Sequence, residues 1–371
     1  DAPDAAPPPS PRIAFVSSAA YPAGSFGDPA MTPNEVASAR CQALATDARL
    51  AGTFVALLST DEVNARELLP NDVLGWVNVE GEVVALSTSA LLSGELLHPI
   101  RYAENRATIT GRVMTGSRGD LTTGEAGCQN WTDTDGFFGA AGDPRSTASL
   151  WIDDRVTSNR RRDDCNPFPM PSAGFGPSCT VPCSDSFHLY CFQIDGTDAV
   201  EPPVLPADPR LAFVTRDPVL SGGGLTDLDA HCEAQRPAFA PAEATFVALV
   251  SPQNAPAISR VSGGGPWHRL DGVLVGTRTD LAGGELRAPI TVTQDGAQSR
   301  GLHWAGALNI DRNGGAFSCL DWESGLGGAA GPRARVGLTA STHVFDGFNG
   351  GLTVSCPLER AGYRLLCFDN R

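Results

Sequence analysis

The ten cysteines are the residues of this chain best suited to chemistry, and that chemistry is oxidation to disulfides. Their total is even, and no two have the Cys-x-x-Cys spacing of a zinc knuckle or a redox site. A disulfide framework in an oxidising compartment is therefore expected. Asp133-Thr134-Asp135-Gly136 is a second candidate. Oxygens on alternate residues can converge on a hard cation, as at the start of a calcium loop. Pro144 stands where such a loop needs its closing Glu, so this is no EF-hand and a solvated turn is the plainer reading. Arg160-Arg161-Arg162 is a cationic run, but Asp163 and Asp164 follow at once. Arg118-Gly119-Asp120 spells an integrin ligand; the second half of the chain lacks it, which favours a chance tripeptide. His98, His188, His231, His268, His303 and His343 form no HxxxH or HxH pair and read as core or surface residues. Trp131 and Trp322 each follow a cysteine by three residues and read as core packing rather than sugar-stacking platforms. There is no Gly-x-Ser-x-Gly elbow and no phosphate loop. The scattered Ser, His and Asp residues define no triad from sequence alone, and a non-enzyme is expected.

Charge narrows the partners. All 27 cationic side chains are Arg. The lack of Lys excludes isopeptide crosslinks and Schiff-base catalysis, which need an amine side chain. With 41 Gly and 29 Pro, it points to coding bias in a GC-rich genome. A net charge of −15 argues against nucleic acid or anionic glycans as the main partner, since both need a cationic footprint. No apolar run reaches the roughly 18 residues of a membrane span.

The elements that must position these residues occur twice. Arg12-Ile13-Ala14-Phe15-Val16-Ser17 returns as Arg210-Leu211-Ala212-Phe213-Val214-Thr215, and Thr53-Phe54-Val55-Ala56-Leu57-Leu58-Ser59 as Thr245-Phe246-Val247-Ala248-Leu249-Val250-Ser251. Gly94-Glu95-Leu96 returns as Gly284-Glu285-Leu286, and Cys128-Gln129-Asn130-Trp131 as Cys319-Leu320-Asp321-Trp322. Cys41 matches Cys232, Cys191 matches Cys367, and either Cys179 or Cys183 matches Cys356. The offset is 191 residues from Cys41 to Cys232 and from Cys128 to Cys319, and 190 from Ile100 to Ile290, far beyond a solenoid repeat, so a whole domain is duplicated.

Within one repeat, Ile13 to Ser17 reads as a strand. Thr32-Pro33-Asn34-Glu35 is a helix start, with a Thr cap, Pro at the first position and Glu three residues after the cap. Ala37, Cys41, Leu44 and Ala48 share a face of that helix, and Gly52 is placed to end it. Thr53 to Ser59 reads as a buried strand, Asp61 to Leu69 as a second helix, and Ile109 to Thr115 and Phe187 to Ile194 as strands. Between Cys128 and Cys183 the chain reads as loop. The second repeat follows the same course, with its helix shortened by Pro237 and a last strand over Tyr363 to Phe368. Residues 1–11 read as an extended Pro/Ala tether of a processed mature protein, and 196–209, with four prolines, as a semi-rigid spacer. The domains are then 12–195 and 210–371.

The ordered set of a helix carrying a cysteine, then Gly-Thr-Phe-x-Ala-x-Leu-Ser, resembles the endostatin domain, a variant of the C-type lectin-like fold. Gly75-Trp76, Val113-Met114-Thr115-Gly116-Ser117, Cys128-x-x-Trp131 and Leu189-Tyr190-Cys191-Phe192 continue it in order, and it covers nearly all of both repeats. The resemblance implies an α+β fold of two tandem, loop-rich, disulfide-stapled domains. It implies the pairs Cys41–Cys191, Cys232–Cys367 and Cys319–Cys356. Cys128 then pairs with Cys183 or Cys179; Cys183 is preferred, because Cys165 and Cys179 then close a local insert. The family's zinc site uses an N-terminal histidine cluster, which the stretch from Asp1 to Ile13 lacks. The Glu-Pro-Asn or Gln-Pro-Asp loop and the Trp-Asn-Asp strand of calcium-dependent lectins are also missing. No cofactor is expected, with calcium at Asp133 and Asp135 the minority alternative. The expected role is non-catalytic binding or adhesion, secreted or at a bacterial surface. Its ligand would be a protein or glycan held by the Cys128–Cys183 loop region, where Asp133, Asp135 and Arg160 to Arg162 lie. The competing expectation is a structural subunit that binds copies of itself to build a fibre or surface layer.

Overall fold

The computed structural model of the chain is a mixed α+β structure with few helices, several small sheets and, among the described residues, four disulfides. It describes residues 10–94, 96–123, 127–135, 137–138, 141–148, 151–152, 181–299, 301–307, 309–323, 332–342, 352–356 and 362–371. Two compact units divide the chain, Asp1–Pro202 and Pro203–Arg371. No helix among the described residues is long and apolar enough to cross a membrane.

In the first unit, β1 (Arg12–Val16), β2 (Phe54–Ala56), β3 (Trp76–Asn78), β4 (Val83–Ala85) and β5 (Tyr190–Gln193) form one sheet in the order β2-β5-β1-β3-β4. β1 runs parallel to β3, with Arg12 opposite Trp76, and antiparallel to β5, with Phe15 opposite Cys191. The central strands are apolar at nearly every position because both faces are covered. Phe15, Phe54, Ala56 and Cys191 join one core, while Ala14, Val16, Tyr190 and Phe192 join the other with Trp76 and Trp151. This is the period of two expected of strands, with a core on each side.

Helix α1 (Pro33–Asp47) covers the first of these faces. Thr32 and Glu35 complete its capping box, and Asn34, Ala37, Cys41 and Ala45 are buried. Its end differs from the expectation. The cap is Ala48, and Arg49, at φ 59°, rather than Gly52 makes the left-handed turn after it. The expected second helix is a single 3-10 turn, Ala65–Leu68. Thr60 explains the shortfall: its hydroxyl accepts from the Glu62 and Val63 amides, and its own amide donates to Val63 O, which closes a turn where a helix would begin. The strand expected over Ile109 to Thr115 shortens to Val113–Met114, and the last strand starts at Tyr190.

The second unit repeats this plan. Strands β6 (Arg210–Val214), β7 (Phe246–Ala248), β8 (Trp267–His268), β9 (Leu274–Gly276) and β13 (Leu366–Asp369) form a sheet in the order β7-β13-β6-β8-β9, the same as in the first unit. Arg210 lies opposite Trp267 and Phe213 opposite Cys367, as Arg12 and Phe15 do with their partners. Helix α2 (Gly224–Ala234) ends before Pro237 and buries Leu228 and Cys232. A further sheet joins β10 (Leu302–Trp304), β11 (Arg333–Leu338) and β12 (Leu352–Ser355).

Much of the stretch expected as a spacer is bonded to one unit or the other. The Val200 amide donates to Leu74 O in the first unit. Leu205 packs on the core of the second, and Arg371 pairs with Asp208 there.

Candidate functional site

One disulfide of each unit pins the helix to the last strand of the sheet, and the other closes a loop. Cys41–Cys191 and Cys232–Cys367 join helix to strand, and Cys128–Cys183 and Cys319–Cys356 hold the loops. Cys165 and Cys179 lie outside the described residues, as do Arg160, Arg161, Arg162 and His343.

Cys128, Gln129, Asn130 and Trp131 are all left-handed, at φ 60°, 47°, 56° and 69°. Cys319, Leu320, Asp321 and Trp322 repeat this at 49°, 55°, 57° and 65°. L-residues cost roughly 1–2 kcal/mol each in this region, so a four-residue run needs strong anchors. The two tryptophans supply them. Trp131 is fully buried and its Nε1–H donates to Ser59 O at 2.8 Å; Trp322 does the same to Ser251 O at 3.2 Å. Glycine is required beside each ring. A Cβ on Gly116 (φ 60°) would come within 2.6 Å of Trp131 Cζ2, and one on Gly306 (φ 85°) within 2.8 Å of Trp322 Cζ2. Asn130 Oδ1 accepts from the Asp61 amide at 3.0 Å, and Asp321 Oδ1 from the Gln253 amide at 2.9 Å. What faces outward therefore differs between frames that are otherwise alike. It is Gln129 in the first unit and Leu320, 58% exposed, in the second.

Asp133 and Asp135 sit just after the first of these turns. Asp133 Oδ2 accepts from Gln129 Nε2 at 2.7 Å, and Oδ1 accepts from the Asp135 amide at 2.8 Å. Both oxygens of Asp133 are thus engaged locally, and Asp135 is exposed. Among the described residues, no group of three or more His, Cys, Asp or Glu is placed to hold a metal ion. His98 and His188 use Nδ1 on the main-chain oxygens of Val83 and Ser17. Burial pushes the His268 pKa down.

Arg118-Gly119-Asp120 sits in a hairpin tip between buried Ser117 and buried Leu121. Its charged side chains are exposed.

Sequence reasoning missed the corner at the end of β1. Glu104, 8% exposed, accepts from the Ser18 amide at 3.0 Å and from the Ser18 hydroxyl. Beside it the pKa of Tyr21 is raised, chiefly by burial, against the opposing effect of Arg40. The second unit places Gln294 there, accepting from the Arg216 amide at 3.0 Å. A neutral side chain makes the same main-chain bond, so the fold does not require the charge of Glu104. Aligning Ala103-Glu104-Asn105 with Thr293-Gln294-Asp295 was the signal that could have found it.

No protein-family model matches the chain, and no curated protein matches it either.

Proposed function

We propose that the chain is a non-catalytic extracellular binding protein, built from two endostatin-like, C-type-lectin-like domains on a proline-rich tether at a bacterial surface. The observation that carries this reading is the contrast between an unchanged frame and changed outward residues. Both units keep the sheet order, the helix-to-strand disulfide and the left-handed Cys-x-x-Trp turn. Gln129 gives way to Leu320 and Ser18 to Arg216 on that frame. Duplicated scaffolds that vary where loops meet solvent suit recognition, because rigid elements leave such loops free to change. Four closed disulfides fit an oxidising compartment and a secreted protein. The ligand class is a protein or glycan at a cell surface.

The purified chain is applied to immobilised cell-surface protein and glycan panels, and its particles are imaged by electron microscopy. Saturable binding by dispersed particles supports the proposal. Ordered filaments without ligand binding would replace it with a self-assembling structural subunit.

A further inference from the structure

We infer that the Arg118-Gly119-Asp120 tip is a docking loop for a protein receptor that carries its own divalent cation: Asp120 meets the cation and Arg118 a receptor carboxylate. The inference rests on the extracellular binding role proposed above but not on the Cys128–Cys183 loops.

The tip is held rigid. The Arg118 amide donates to Thr122 O and the Leu121 amide to Arg118 O, each at 2.9 Å, and Ser117 bridges Thr123. The hairpin is fastened to the unit beneath it. Arg66 N–H donates to Leu121 O at 3.3 Å, and the amide of Thr123 to Asn64 Oδ1 at 2.8 Å. Between these anchors the two charged side chains face solvent.

The polar atoms at the tip are arranged unequally. The Thr122 amide (3.1 Å) and hydroxyl (2.6 Å) both donate to Asp120 Oδ1. That orients the carboxylate and leaves Oδ2 without a hydrogen-bond partner among the described residues. The Thr122 hydroxyl bond, with smaller contributions from main-chain amides and Arg66, also holds the Asp120 pKa below its ordinary value, so the group is ionised at neutral pH. The Arg118 guanidinium makes no hydrogen bond or ion pair among the described residues. A single carboxylate oxygen cannot by itself hold a hard cation, which takes six or more oxygens. It can complete the shell of a cation whose other ligands a partner supplies. A guanidinium is suited to the bidentate recognition of a carboxylate. Holding the Asp120 carboxylate in place beforehand removes part of the ordering cost of binding.

The second unit is an internal control. Leu121 O accepts from Arg66 N–H as Ile310 O accepts from Ile258 N–H, both at 3.3 Å. Between Gly306 and Ile310 stand only Ala307, Leu308 and Asn309, where the first unit has Ser117, Arg118, Gly119 and Asp120. The same anchor is thus reached with one residue fewer and no charge. Asp120 Oδ1 closes the turn on Thr122, but nothing in the fold uses its Oδ2 or the Arg118 guanidinium among the described residues, and the solvent-facing chemistry does.

The test uses the full chain over a panel of immobilised RGD-binding integrin ectodomains as receptor probes. Binding is expected in manganese, with loss in EDTA and competition by a Gly-Arg-Gly-Asp-Ser peptide. Asp120→Glu keeps the charge but moves the carboxylate by one methylene. It should weaken binding by more than roughly thirtyfold while the melting temperature stays put. Wild-type binding that is absent, indifferent to EDTA or equal in Asp120→Glu overturns the inference. If cells hold the wild type and Asp120→Glu equally well, this site falls while the binding role stands. If no cell-surface panel holds the wild type, the binding role falls as well.

Discussion

Single residues carry unusual backbone cost in this protein, and two measurements read it. Leu320 is left-handed at φ 55° and its side chain is 58% exposed. Glycine removes the Cβ penalty of roughly 1–2 kcal/mol but adds about 0.5–1 kcal/mol of unfolded-state entropy. Leu320→Gly should therefore stabilise the second unit by about 0.5–1 kcal/mol in urea unfolding, the reverse of the usual effect of glycine. A loss of stability would mean that the turn is not strained there. At Asp133 each carboxylate oxygen already accepts a local hydrogen bond, so calcium would have to compete with Gln129 and the Asp135 amide. Calorimetric scans in EDTA and in millimolar calcium should superimpose. A rise of several degrees that vanishes in Asp133→Asn/Asp135→Asn would instead place a structural ion in the first unit.

Between elements, the strongest ties of the first unit are one ion pair and one disulfide. Arg12, on β1, donates through Nη1 and Nη2 to Asp72 Oδ1 and Oδ2 at 2.7 and 2.6 Å, and it lies 5.5 Å from the Trp76 ring centroid. The Arg12 hydrogen bonds hold the Asp72 pKa below the carboxylate range, against the effect of burial. A depressed carboxyl contributes stability that is present above its unfolded value of about 3.9 and is lost as pH falls through the folded one. Asp72→Asn should cost about 1–2 kcal/mol at pH 7, discounted for the partial exposure of Asp72. That gap should narrow as pH falls below the unfolded value of about 3.9 and close once it passes below the depressed folded value, where both proteins are neutral at this position. Denaturant melts across this range check it, and a constant gap would assign the loss to packing. The second unit lacks this tie. Gly263 stands where Asp72 would, four residues before the tryptophan, and Arg210 Nη1 is buried without a hydrogen-bond partner among the described residues. The Cys41–Cys191 bond spans 150 residues. In the chain-entropy model a loop of that size stabilises by roughly 5 kcal/mol, less any native strain. Cys41→Ala/Cys191→Ala should lose several kcal/mol in the first unit's transition, and a loss under about 1 kcal/mol would mean that helix packing alone fixes α1.

On the scale of the whole molecule, the two units should fold as separate bodies. Each holds a complete sheet with a core on either side. The cut belongs between Pro202 and Pro203. Ending the first fragment at 195 would remove Val200 from its bond to Leu74, and starting the second at 210 would remove Leu205 and Asp208. Fragments 1–202 and 203–371, made in an oxidising compartment, should each unfold cooperatively at the denaturant midpoint that the unit shows in the full chain. A molten fragment would reveal an obligate interface.

The sequence by itself determined the duplication, the central strands, the start of α1 and the residues available for disulfides. These are local or repeated signals: Thr32, Pro33 and Glu35 act within one turn of chain, and the apolar Phe54 and Phe246 segments announce a buried strand wherever they occur. Its errors fell at ends. Thr60 and Arg49 ended or forestalled helices through side-chain and backbone bonds that periodicity does not encode. Tertiary structure decided the rest. Cys128-x-x-Trp131 became a left-handed turn only because a tryptophan found Ser59 O and left room for no side chain at Gly116. Arg118-Gly119-Asp120 gained an oriented carboxylate only because Thr122 and the anchors of Leu121 closed the hairpin beneath it. Residue types announce which bonds can form, but strain and orientation arise from groups distant in sequence that converge only in the folded chain.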